Sequence, residues 1–186
     1  MREDTKLNDK SIGIIEFRSI AMGMLAADFM LKRSLIHVVL STVLCPGKYI
    51  LMISGDVSSV EQAIEEGIRQ GGEFTISHIV IPSVHPNVFP ALTGTVDVVK
   101  QGALGLVETI DIAGSILAAD LMAKAADVEL MEVRVARGMG GKAFVLVTGD
   151  NAAVKAAVAS SLEGLKDQGT ILATSVISSP HRDLSI

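Results

Sequence analysis

The chain has 186 residues, 49% of them apolar and 20% charged, with a mean hydropathy of +0.48. That length suits one ordinary domain or two small ones, and the excess of apolar surface calls for an interface. A net charge of -5 argues against nucleic acid as a partner, which normally calls for a basic stripe, and a single cysteine excludes an internal disulfide.

The first ten residues, Met1–Lys10, are charged and polar and read as a frayed tail, neither signal peptide nor membrane anchor. A reducing cytosol is the expected compartment. Ser11–Phe17 reads as a strand. A helix follows from about Ala21 to Arg33, with Met22, Leu25, Ala26, Phe29 and Met30 at the spacing of one helical face. Val38–Leu44 and Tyr49–Ile53 are rich in strand formers, with a turn at Pro46-Gly47 between them. Asp56 suits the N-cap of a second helix carrying Val60, Ala63, Ile64 and Ile68 inward. Gly71-Gly72 ends that helix, and Ile76–Ile81 reads as a fourth strand. The low-charge stretch Phe74 to Val99 contains Pro82, Pro86 and Pro90, which makes it a poor membrane span.

The chain then repeats itself. Ile12-Gly13-Ile14-Ile15-Glu16 is echoed by Leu104-Gly105-Leu106-Val107-Glu108. Leu25-Ala26-Ala27-Asp28-Phe29-Met30-Leu31-Lys32 is echoed by Leu117-Ala118-Ala119-Asp120-Leu121-Met122-Ala123-Lys124. Both blocks lie 92 positions apart. Gly47-Lys48 and Gly55-Asp56 return as Gly141-Lys142 and Gly149-Asp150 at an offset of 94, and His85 returns as His181 at 96. Two small insertions account for the drift, so the chain is a duplicated unit. The second set of strands is expected near Leu104–Ile110, Glu129–Ala136, Ala143–Val147 and Thr170–Ile177. Its last helix, capped by Asp150, would turn Val154, Ala157, Val158 and Leu162 inward.

Each unit has the order β-α-β-β-α-β, that of a ferredoxin-like α/β sandwich with helices on one face of an antiparallel sheet. The expected organisation is a tail at 1–10, domain one at 11–90, a linker at 91–102 and domain two at 103–186. The linker is short, so side-by-side packing is expected.

Little of the chain suggests catalysis. There is no Ser-His-Asp order, dinucleotide fingerprint or cluster of ligands at metal spacing. Gly138-Met139-Gly140-Gly141-Lys142 superficially suggests a phosphate cradle, but it lacks the P-loop length and the following Ser or Thr. His85 and His181 read as loop histidines rather than metal ligands. Taken alone, a lone cysteine is more often a small buried hydrophobe than a ligand. Cys45, however, stands at the Pro-Gly turn, where a side chain is exposed rather than packed.

The Gly-[Ile/Leu]-[Ile/Val]-Glu strand, the Ala-Ala-Asp-x-Met-x-Lys helix and the Gly-Lys…Gly-Asp run resemble the bacterial microcompartment (BMC) domain. They occur twice, over about residues 11–182, in unpermuted order. The chain therefore resembles the tandem-BMC class, and most of all its members from propanediol-utilisation compartments, through Cys45 to Asp56, His85-Pro86 and Gly138 to Lys142. The resemblance implies a shell protein rather than an enzyme: a homotrimeric, pseudohexagonal tile meeting other shell proteins at its edges. It implies a pore lined by Cys45, Pro46, Gly47, Met139, Gly140 and Gly141. It also implies a 4Fe–4S cluster shared by three copies of Cys45, for electron transfer or for delivery of iron–sulfur material to encapsulated redox enzymes. Three thiolates leave one iron without a cysteine. Lys32 and Lys124 are the implied tile-edge residues; Lys48 and Lys142 either flank the pore or are ordinary solvated lysines. A cluster-free pore for small polar metabolites is the nearer alternative. A soluble regulator binding an effector between its units is the alternative of another class.

Overall fold

The computed structural model describes residues 11–97, 102–135 and 140–184. The chain divides into two compact units, Met1–Pro86 and Asn87–Ile186. The expected tail at Met1–Lys10 lies outside the described residues, as do residues 98–101 of the expected linker.

The first unit runs β1 (Ser11–Phe17), α1 (Ile20–Arg33), β2 (His37–Leu44), β3 (Lys48–Gly55), α2 (Val57–Gly71), a 3-10 turn (Gly72–Phe74) and β4 (Thr75–Ile81). Its sheet has the order β2-β3-β1-β4, with every neighbouring pair antiparallel. This is the ferredoxin-like arrangement that the element order implies. Strand alternation sends Ile15, Phe17, Tyr49, Leu51 and Ile53 to the helix side. There they meet Ala26, Ala27 and Met30 of α1 and Val60, Ala63 and Ile64 of α2 in one buried cluster. The rings of Phe17 and Tyr49 stand 6.5 Å apart, tilted by 35°, and the Tyr49 hydroxyl is 2.7 Å from that of Ser41.

Small residues set how closely the helices approach. A Cβ on Gly13 would lie 2.6 Å from Val60 Cγ1 and 2.9 Å from Ile64 Cγ1. One on Gly23 would lie 2.6 Å from Tyr49 Cδ1. The buried side of α1 is accordingly Gly23, Ala26, Ala27 and Met30. Leu25 and Phe29, expected on that inner face, are exposed. The helix is apolar nearly all round, so hydrophobic spacing alone did not select a face; the small residues did.

The second unit opens with a short helix, α3 (Val88–Thr93), ended by Gly94 in the left-handed region (φ 67°). Then come β5 (Ala103–Thr109), α4 (Ile112–Ala125), β6 (Val128–Val135), β7 (Ala143–Gly149), α5 (Asn151–Leu165) and β8 (Ile171–Ile177). Its sheet order, β6-β7-β5-β8, repeats that of the first unit. The irregularities repeat too: the shift at Glu16/Phe17 on β1 recurs at Glu108/Thr109 on β5, and that at Val38/Leu40 on β2 recurs at Leu130/Glu132 on β6. Gly105 repeats Gly13, since a Cβ there would sit 2.8 Å from Val154 Cγ1.

Three further details differ from expectation. Residues 88–93 form a helix packed on β6 and α4, where linker was expected from 91. On α5 the inner face is Val154, Ala157, Val158, Ser161 and Leu165, and Leu162 is exposed. Asp150 occupies the N-cap position but makes no side-chain capping hydrogen bond, whereas Asp56 accepts one from the Ser59 amide at 2.9 Å.

Candidate pore turns and edge lysines

The β2–β3 hairpin closes tightly. Leu44 pairs with Lys48 across the ladder, which leaves Cys45, Pro46 and Gly47 as the loop. The Gly47 amide donates to the Leu44 carbonyl at 2.8 Å, and the Cys45-Pro46 peptide is cis, the arrangement of a type VI turn. Gly47 has φ +94°, a conformation that favours glycine. Leu44 is buried beneath the turn, while Cys45, Pro46 and Gly47 are exposed. The Cys45 thiol is free.

The matching β6–β7 hairpin is wider. Its last paired residues are Val135 and Ala143, with seven residues of sequence between them rather than three, and residues 136–139 among them lie outside the described residues. Gly140 and Gly141 both take positive φ, at 64° and 92°. Met139, expected beside them, lies outside the described residues, as does Gly138.

The lysine after each turn is engaged within its own unit. Lys48 Nζ lies 3.5 Å from Glu16 Oε2, and Glu16 also accepts from the Ser77 hydroxyl at 3.2 Å. Lys142 Nζ lies 3.1 Å from Glu108 Oε1. Both carboxylates come from the Gly-x-x-Glu strand motif, so the motif residue and the turn lysine serve one ion pair in each unit. The sequence reading singled out the lysines and missed the partner. Their one shared signal was that Glu and Lys are both retained in both repeats.

Lys32 and Lys124 each close an i,i+4 pair with the aspartate of their own motif, to Asp28 at 2.6 Å and to Asp120 at 2.7 Å. Both also follow the dipole rule, sitting in the last turn of α1 and α4. Lys32 borders a shallow cleft with Phe29, Arg33, Glu66 and Arg69, a grouping the sequence did not suggest because it joins two helices. Glu66 is held below the usual carboxylate range by its hydrogen bonds from Arg69 and then Gln70.

Among the described residues, no three His, Cys, Asp or Glu side chains group as metal ligands. One chain thus offers a cluster a single thiol, and it sits at an exposed turn. No helix among the described residues is long and apolar enough to cross a membrane.

Two ferredoxin-like units with matching bulges, matching ion pairs and a hairpin turn apiece define a tandem shell-domain architecture. The BMC domain family matches the chain at residues 11–84 and 103–180, so the chain belongs to that family with two copies of its domain. It is a shell protein of a bacterial microcompartment. It is 41% identical over 175 residues to the bacterial microcompartment shell protein PduT of Citrobacter freundii, covering 94% of this chain and 95% of that one. The shell protein PduA of the same organism is 40% identical over 85 residues, covering 46% of this chain and 89% of its own. Among solved structures, a microcompartment protein from Desulfitobacterium hafniense superposes with a TM-score of 0.86 at 39% identity, over 95% of this chain and 98% of that one.

Proposed function

We propose that three copies of this chain close into a ring of six BMC domains, a tile without enzymatic activity, with the Cys45 turns converging on a central pore. The observation that supports this most is the Cys45 turn itself: a free, exposed thiol on a three-residue loop that ends a regular strand pair. Such a side chain contributes nothing to its own core and is open to a neighbour.

Three such thiols, one from each chain, would hold a 4Fe–4S cluster with one iron left to another ligand. A bound cluster supplies one-electron chemistry, either passing electrons across the shell or handing iron–sulfur material to redox enzymes within it. The Gly47 amide is already used by the Leu44 carbonyl, and Pro46 has no amide proton. The turn therefore keeps few donors for cluster sulfurs, and a cluster there would be exposed and sensitive to oxygen. Lys32 and Lys124 would act at the tile edge, where other shell proteins meet it.

Anaerobic purification tests the cluster. A brown trimer containing iron and sulfide, turned colourless by Cys45→Ser, supports it. A colourless, iron-free wild-type trimer refutes it and leaves a pore for small polar metabolites. Assembly into sheets at low salt, weakened by Lys32→Ala or Lys124→Ala, supports the edge role; unchanged sheets refute it.

A further inference from the structure

The two repeats are alike in backbone and unlike in what covers them. On α4, the residues Ile112, Ile116 and Asp120 are buried. Their counterparts on α1, 92 positions earlier, are Ile20, Met24 and Asp28, and these are exposed. Leu31 and Leu35 extend the same stripe, with Leu35 86% exposed. The adjoining strand shows the same contrast. Leu130 on β6 is 2% exposed, whereas Val38, which occupies its place in the β2 register, is 46% exposed.

In the second unit, α3 lies on α4 and β6, with Val88, Phe89 and Ala91 buried. That segment directly follows β4 and the His85 motif. The first unit has an equivalent seat, a stripe of α1 beside β2, with no segment of its own unit on it among the described residues. Among the described residues one other stretch follows a fourth strand in this way: the stretch after β8, which carries the His181 motif and leads to Leu184, matching the His85 motif and the first residue of α3. At the offset of 96, Leu184 stands where Val88 stands. Leu184 is an exposed apolar side chain; Arg182 beside it is 89% exposed and pairs with Asp183 at 3.5 Å, while the exposed Asp28 of α1 pairs with Lys32 at 2.6 Å, so a charged pair flanks the apolar residues in both places.

We propose that the segment His181–Leu184 of one copy seats on the α1–β2 stripe of the first unit of a second copy, with Leu184 in the place that Val88, the first residue of α3, holds in the second unit. The inference rests on the ring reading above and adds the element that links consecutive chains. Leu184 covers Met24 and Val38, and Arg182 lies beside Asp28. Each chain gives one segment and receives one, a head-to-tail arrangement that makes a ring when the rotation between copies closes, as in the ring proposed above.

Site-directed cross-linking tests this. In a Cys45→Ser chain, Met24→Cys and Leu184→Cys are combined, the protein is treated with a short bis-maleimide, and its sedimentation is compared with that of the wild-type chain. The expected result is a trimer that gives a ladder of covalent dimers and trimers on a denaturing gel, with Val38→Cys in place of Met24→Cys giving the same ladder. A trimer in which neither pair links, or links only within one chain, overturns the seat and leaves the ring standing. A wild-type chain that sediments as a monomer overturns both.

Discussion

Lys48 reaches from the foot of its turn to the carboxylate of Glu16 on β1, at 3.5 Å, and that carboxylate is almost wholly buried. Lys142 and Glu108 repeat the contact at 3.1 Å, but there the carboxylate is 39% exposed. The same pair is thus made at two depths. Removing the lysine takes the cation from a buried carboxylate that keeps the Ser77 hydroxyl in one unit, and from a solvated carboxylate in the other. Lys48→Met is therefore expected to cost about 1–3 kcal/mol of stability, the scale of losing one partner of a buried polar group. Lys142→Met is expected to cost less than about 1 kcal/mol, as for exposed pairs. Urea unfolding of the two variants side by side measures the difference.

The strand glycines are fixed by contact with helices. Gly13→Ala would drive a methyl to within 2.6 Å of Val60, and Gly105→Ala to within 2.8 Å of Val154. Each is expected to destabilise by about 1–3 kcal/mol through overpacking. Gly13→Ala combined with Val60→Ala should recover part of the loss. Equal instability of the single and double variants in thermal unfolding would refute the contact.

Asp56 caps α2, and hydrogen bonds from Ser59 and then Ser58 hold its carboxyl down at about 2, from an ordinary 3.8. A carboxylate depressed on folding stabilises above its unfolded pKa and loses that contribution as pH falls through the folded value. The stability difference between wild type and Asp56→Ala should therefore be full at neutral pH and shrink between pH 3.8 and about 2. Asp150→Ala should cost less at neutral pH, since Asp150 makes no capping bond. Carboxyl chemical shifts followed through acid titration check the first point, and neutral-pH unfolding the second.

Cys45 is exposed at a turn, so Cys45→Ser is expected to change stability by no more than about 0.5 kcal/mol, the range for surface positions. Unchanged sedimentation and melting would then assign any loss of iron to the ligand rather than to the fold.

Most of the architecture was legible because the chain states it twice. The bounds of β1 were read to the residue, and the two helix caps were placed at the right aspartates. What escaped was information carried by partners distant in sequence. The apolar spacing of α1 put Leu25 and Phe29 on the inner face, and it is Tyr49 and Phe17, on other elements, that require Gly23 to be inward. The segment Val88–Thr93 has Pro90 within it and just six residues, too short for periodicity to show a helix. Its helix is held by packing on β6 and α4. Glu16 was legible as part of a repeated motif but not as half of an ion pair, because its cation comes from 32 positions further on. The exposed Cys45 turn was readable, since Pro-Gly between two strands is a local signal.

The sequence of the two hairpins carries an arithmetic of its own. With cysteine in one repeat and not the other, any closed assembly of this chain presents half as many thiols as it has domains. A ring of identical single domains has no such freedom: whatever side chain faces its axis must face it once per domain. In the ring proposed above, two fused domains would give an otherwise sixfold opening a threefold chemistry, and a point mutation in either repeat would change that chemistry without touching the other half of the rim.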